Sequence, residues 1–79
     1  MQIRVLFFGA TADETGKRAE NFVLSDFTNV EQALDELLCQ FPKLCNHKLR
    51  FAVNQEYAPK DRVLNEGDEL AIFTAVSGG

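Results

Sequence analysis

Residues Gln2 to Phe8 alternate cleanly. Ile3, Val5 and Phe7 fall on one side of an extended chain, and Arg4, Leu6 and Phe8 on the other. This is a β-strand pattern, and Gly9 breaks it. The stretch from Ala10 to Asn21 is small and polar. Thr11 and Glu14 have the spacing of a capping box, which predicts a single helical turn ending at Gly16. Asn21 to Ser25 reads as a second short strand, expected to pair with the first.

The strongest periodic signal is TNVEQALDELLCQFP. Thr28 is an N-cap candidate with Glu31 three residues on, again a capping box. Val30, Ala33, Leu34, Leu37, Leu38 and Phe41 then repeat at helical spacing and form one apolar stripe. Asp35, Glu36 and Gln40 take the wet side. Pro42 disfavours helix at Phe41, so the helix is expected to stop there.

Alternation returns at Leu49 to Asn54, with Leu49, Phe51 and Val53 inward. Pro59 limits any strand around Glu56 to Ala58 to a short edge piece. Val63 and Leu64 anchor the following loop. Asn65-Glu66-Gly67-Asp68 reads as a turn, with Gly67 able to take positive φ. Glu69 to Thr74 is the last strand, with Leu70 and Ile72 inward. One helix cannot cover two faces of a sheet. The expected architecture is therefore α+β in two layers, a mixed sheet of about five strands under one main helix. Residues 1–79 make one domain, with no repeat and no linker.

Composition narrows the function. The chain has 79 residues, near the lower size for a core without staples, but 46% are hydrophobic and seven are Phe. No apolar run approaches the roughly 20 residues that span a bilayer. The N-terminus lacks a charged leader and a cleavage site, so a cytoplasmic location is expected. The net charge is −4 and the basic residues are scattered, which argues against a nucleic-acid surface. An acidic chain would suit a partner with a basic face, though net charge alone does not establish one. Cys39, Cys45 and His47 read C-x5-C-x-H and match none of the common zinc spacings, so no metal is expected. Cys39 rides on the helix, and Cys45 and His47 lie in the loop after it. His47 has no Ser or Cys partner pattern for nucleophilic catalysis, and the carboxylates read as solvated surface.

Alternation also leaves something outside. With Ile3, Val5 and Phe7 facing the helix, Leu6 and Phe8 face away from it, and Ala71 and Phe73 do the same on the last strand. The first and last strands are expected to be central neighbours. Phe8 and Phe73 then share the uncovered face, with Tyr57 near it, as a patch for a protein partner. The same rings would also serve merely to cover a sheet end, and a register one residue off would turn them inward.

The strand that carries Phe73 runs into a tail, Thr74 to Gly79, closing on Val76-Ser77-Gly78-Gly79. Glycines lack the Cβ that widens a chain, so such a tail fits a narrow channel. Six extended residues reach about 20 Å. A terminal carboxylate on Gly79 would be ionised and a poor electrophile at neutral pH. It would need activation, most simply adenylation by ATP. A sulfur nucleophile would then yield a thiocarboxylate, and an amine an amide.

The segments VLFFG at Val5 to Gly9, TNVEQALDELL, AVNQ at Ala52 to Gln55 and GDELAIFTAVSGG resemble the sulfur-carrying small subunit of molybdopterin synthase, the MoaD family, within the ubiquitin-like β-grasp fold. The likeness runs end to end. Members often carry proline near the tail where this chain has Thr74 and Ala75, which leaves the reactive end untouched. The resemblance implies that an E1-like adenylyltransferase uses ATP on Gly79 and that a sulfur donor, such as a desulfurase or rhodanese, makes the thiocarboxylate. It implies that the tail (Val76, Ser77, Gly78) inserts into the large, catalytic subunit within a heterotetramer. There Gly79 gives sulfur to a cyclic pyranopterin precursor. No cofactor is bound by the carrier itself, and catalytic side chains are expected on the large subunit. Family docking surfaces have apolar residues at positions matching Phe8, Tyr57 and Phe73. Other readings are a carrier for the thiamine thiazole, a ubiquitin-like modifier joined through Gly79 to lysines, and a binding module with an inert tail. Iron–sulfur ferredoxins share the fold but want four Cys ligands where this chain has two.

Overall fold

The computed structural model describes residues 1–74. The elements are β1 (Gln2–Phe7), α1 (Ala10–Thr15), β2 (Ala19–Val23), α2 (Val30–Gln40), a 3₁₀ turn (Pro42–Asn46), β3 (Leu49–Val53) and β4 (Glu69–Thr74). The sheet order is β2-β1-β4-β3. β1 and β4 run parallel at its centre, with Val5 opposite Leu70 and Phe7 opposite Ile72. β2 and β3 flank them antiparallel. Among the described residues no helix is long and apolar enough to cross a membrane.

The inward set is as alternation requires. Ile3, Val5, Phe7, Val53, Leu70 and Ile72 are buried from the sheet, and Val30, Ala33 and Leu37 from α2. Leu34, Leu38 and Phe41, on the flank of the same stripe, are partly buried against this core. Phe41 caps one end with an edge-to-face contact to Phe7, ring centroids 5.7 Å apart. The helix ends before Phe41, as Pro42 demands. Leu24, Leu44 and Leu64, from the connections, close the perimeter.

Four expectations need correction. The sheet has four strands rather than about five. After β3 the chain does reverse, and Val53 and Glu56 exchange backbone hydrogen bonds of 2.8 and 3.0 Å. Pairing ends at that single bridge. The chain then crosses to α2, where Lys60 and Arg62 carbonyls accept from Glu31 N and Val30 N. Second, β2 begins at Ala19 and ends at Val23 instead of spanning Asn21 to Ser25. Third, the N-cap of α2 is Asn29, whose side chain accepts from Gln32 N while Gln32 reciprocates to Asn29 N. Thr28 sits one residue outside and donates its hydroxyl to Ser25 O instead. Fourth, Thr11 caps nothing: α1 starts at Ala10, and Thr11 is fully buried within it. The end of α1 at a left-handed Gly16 is as expected.

Two segments far apart in sequence, AVN and GDE, turn out to be one structural unit. Asn54 takes a positive φ of 51° at the end of β3. Its amide nitrogen donates to Asp68 Oδ1 (3.0 Å), and its oxygen accepts from Glu69 N (3.0 Å). The second Asp68 oxygen accepts from Asn65 N at 2.8 Å, closing the turn in which Gly67 has φ 82°. This network fixes where β4 starts, and hence its register against β1 and β3.

Candidate functional site

The face of the sheet away from α2 is built in rows set by register. In the middle row Leu6 lies opposite Ala71, and Ala71 opposite Ala52. Small side chains on two of three strands keep that row low. In the next row Phe73 lies opposite Arg50. Phe8 N donates to Ile72 O at 3.0 Å, which carries the parallel ladder one step past β1 and sets Phe8 beside Phe73. The two aromatics thus stand together beyond a shallow alanine floor. Phe8 is 51% exposed, and Phe73, flanked by Phe8 and Arg50, is partly buried.

The turn after β1 aims Phe8. Gly9 has φ 58° and ψ −129°, a conformation that any Cβ would strain. Thr11 folds back beneath it. Its hydroxyl lies 2.7 Å from Phe8 O and 3.0 Å from Ile72 O, with one proton to donate between them. A buried hydroxyl therefore clamps the β1–α1 corner to β4, directly under the aromatic pair. Residue type alone pointed to a cap, so this role was missed. The available signal was the VLFFGAT context, a strand end followed by Gly and then a residue able to reach back.

Tyr57 is 84% exposed and stands apart from the pair. It lies beyond β3, lining a shallow depression of about 230 Å³ with Leu49, Arg50, Phe51 and Ala58. By register Phe8 and Phe73 fall in one row, with Arg50 opposite Phe73 and Tyr57 beyond Arg50. The remaining expected site residues, Val76, Ser77, Gly78 and Gly79, lie outside the described residues. What is described is their root: Thr74 is the last residue of β4, paired with Leu49. It belongs to the strand rather than to the tail, and it follows Phe73 directly. Whatever leaves Thr74 therefore starts beside the aromatic row.

The charge is sorted by the fold. By register the outer face carries Arg4 and Arg50 against Glu69. Neither arginine has an ion-pair partner within 4.0 Å among the described residues. The exposed side of α2 carries Glu31, Asp35 and Glu36. These three carboxylates lie on the side of the molecule away from the candidate docking face. This changes the expectation drawn from net charge, because an acidic chain presents here a face with two arginines.

No catalytic constellation emerges among the described residues. His47 Nε2 lies 3.1 Å from Glu14 Oε1, tying the segment after the 3₁₀ turn to α1. Cys39 lies on α2 and Cys45 on the 3₁₀ turn, both free and exposed. Among the described residues no three His, Cys, Asp or Glu side chains gather closely enough to hold a metal ion. The arrangement is a rigid platform with an aromatic row at the point where the chain departs.

Comparison with known proteins agrees with that picture. The model of the ThiS family matches residues 5–79. The molybdopterin synthase sulfur carrier subunit of Chlamydomonas reinhardtii is 37% identical over 83 aligned residues, covering all of both chains. The small archaeal modifier protein 1 of Haloferax volcanii superposes with a TM-score of 0.86 at 25% identity, covering 95% of this chain and 98% of that one. A chain from the complex of subunits 1 and 2 of the molybdopterin-converting factor of Helicobacter pylori 26695 has a TM-score of 0.69 at 21% identity over the whole of both chains, a likeness of fold. The fold is the β-grasp that the resemblance implied, with four strands in its sheet.

Proposed function

The chain belongs to the ThiS family, and from that premise we propose that it is the sulfur carrier of molybdopterin synthesis, with Gly79 as its working residue. The observation that carries this reading is the end-to-end match to a molybdopterin synthase sulfur carrier subunit, 37% identical over the whole of both chains. The match runs through the final Gly78-Gly79, as does the family model.

The chemistry follows from a terminal carboxylate on Gly79. One carboxylate oxygen attacks the α-phosphorus of ATP and releases pyrophosphate, giving an acyl-adenylate. The terminal sulfur of a persulfide donor then displaces AMP at the carbonyl carbon, and a thiol of the donor or activating enzyme cleaves the resulting acyl disulfide, releasing the thiocarboxylate and leaving a disulfide on the protein that supplied the thiol. An E1-like enzyme would supply the first step, since this chain offers no phosphate-binding loop. The carrier's contribution is presentation. The partner is the large subunit of the synthase, by analogy with the Helicobacter pylori complex of subunits 1 and 2. Phe8, Phe73 and, across Arg50, Tyr57 form the docking face. The tail extends from Thr74 into the partner's active site, with Val76, Ser77 and Gly78 as the slim lead to Gly79.

The test is to delete Gly79 and assay the protein with its activating enzyme and large subunit. The expected result is an unchanged circular dichroism spectrum and complete loss of molybdopterin formation. The intact carrier purified from cells should be heavier by the difference between one sulfur and one oxygen atom. With cysteines blocked, it should still react with a thiol reagent. Molybdopterin formation by the deletion variant would overturn the reading. Lysine conjugates in cells, without thiocarboxylate, would favour the modifier role instead.

A further inference from the structure

β3 is an edge strand with a vacant slot beside it. Backbone parity shows which groups point there. Asn54 N donates toward β4, to Glu69 O, whereas Val53 points the other way and exchanges both its bonds with Glu56. With the strand period of two, Phe51 and Leu49 point outward with Val53. A fifth strand would continue from Glu56 and pair with them. Asn54 and Gln55 do make the reversal, at φ 51° and 69°. Pairing nevertheless stops after one bridge, because the chain leaves for the helix through Pro59. Among the described residues, the N–H and C=O groups of Leu49 and Phe51 have no strand partner.

Both sides of this edge are hollow. Toward α2 lies a groove of about 320 Å³, with an apolar floor of Leu34, Leu38, Leu44, Leu49 and Phe51 and a polar margin that includes Glu31, Asp35, His47 and Lys60. Toward the outer face lies the depression of about 230 Å³ between Arg50 and Tyr57. Leu49 and Phe51 line both. A strand laid on the edge would drop alternate side chains into the two hollows.

We propose that the β3 edge binds an extended segment of a protein partner by strand addition, and that this segment alternates apolar and acidic residues. The apolar side chains enter the groove over Leu34 and Leu38. The acidic ones meet Arg50, which has no ion-pair partner among the described residues. Lys48, two residues before Arg50, adds positive charge on the same side, whereas Lys60 lies at the other hollow beside Glu31 and Asp35. The same charges oppose a second copy: two β3 edges paired antiparallel would bring Lys48 and Arg50 of one against those of the other. This site shares Arg50 and Tyr57 with the docking face proposed above, but it does not involve Gly79 and stands whether or not Gly79 carries sulfur.

The probe is a capped hexapeptide of alternating Glu and Val, titrated into the full chain and followed by amide hydrogen exchange and NMR. At saturation, exchange at Leu49 and Phe51 should slow at least tenfold, with shifts at Leu34, Leu38 and Tyr57. Arg50→Glu, an exposed substitution that leaves the core intact, should weaken binding at least tenfold. So should N-methylating alternate residues of the peptide, which removes its ladder donors. A Lys–Val peptide should not bind. Unchanged exchange at Leu49 and Phe51 with millimolar peptide overturns the proposal. So does protection of those amides without peptide, whether it rises with protein concentration, marking a second copy, or disappears on removing residues 75–79, marking the chain's own tail.

Discussion

Replacing Asn54 with Ala would test whether the AVN and GDE segments serve the fold rather than the chemistry. Asn54 makes two bonds across the β3–β4 junction, to Asp68 Oδ1 and from Glu69 N, both 3.0 Å. The first goes to a carboxylate that is largely buried, so its loss is worth about 1.5–3 kcal/mol. The second is exposed, water can replace it, and about 0.5 kcal/mol is at stake. Ala must also hold the positive φ of 51° at this position, at a cost of about 1 kcal/mol. The sum is about 3–4.5 kcal/mol, most of the roughly 5 kcal/mol at the low end for small domains. Urea denaturation followed by circular dichroism measures it. The variant should unfold at a much lower midpoint with an unchanged slope. Asn54→Gly separates the terms, since it relieves the φ strain and loses the same bonds. A double-mutant cycle with Asp68→Ala should show coupling of about 1 kcal/mol or more. Sulfur-transfer activity per folded molecule should stay at the wild-type level, because the network lies at the start of β4 and Thr74 at its end. Coupling near zero would refute the structural account. A fully stable variant without transfer would place Asn54 in the chemistry.

Phe73→Asp should weaken binding to the large subunit at least tenfold, since a buried Phe side chain is worth about 1.5–3 kcal/mol at an interface and tenfold is about 1.4. Calorimetric titration checks it, and unchanged affinity would remove Phe73 from the docking face. Gly9→Ala places a Cβ at φ 58° and should cost about 1 kcal/mol or more, even though nothing crowds the added atom. A thermal melt with no downward shift would refute that strain. Thr11→Val should cost about 1 kcal/mol, from a hydroxyl bond lost while both carbonyls keep their backbone donors. Its specific mark is faster exchange of the Phe8 amide, without which the clamp has no role in aiming Phe8.

Much of this was legible wherever a residue's neighbours were its own neighbours in sequence. The stripe from Val30 to Phe41 marked α2 and its buried side, because a helix brings those positions together locally. Where two local solutions competed, sequence could not arbitrate. Thr28 with Glu31 and Asn29 with Gln32 are both capping boxes. The second forms because Thr28 is held by Ser25 on one side and by Leu64 N, which donates to its carbonyl, on the other. Thr11 failed for the same reason, since its hydroxyl sits between Phe8 O and Ile72 O, the latter 61 residues away. The fifth strand failed because the reversal at Asn54-Gln55 is correct locally, while the pull of Lys60 and Arg62 toward the helix N-terminus is not local at all.

The sequence by itself determined which side chains are core and that Phe8 and Phe73 point away from it, since period-two and period-3.6 patterns are properties of the chain alone. Only the tertiary structure decided that Phe8 and Phe73 share a row, that Arg50 separates them from Tyr57, and that the β3 edge stays open. Those facts depend on register between strands, and register is settled by contacts between residues that the chain keeps far apart.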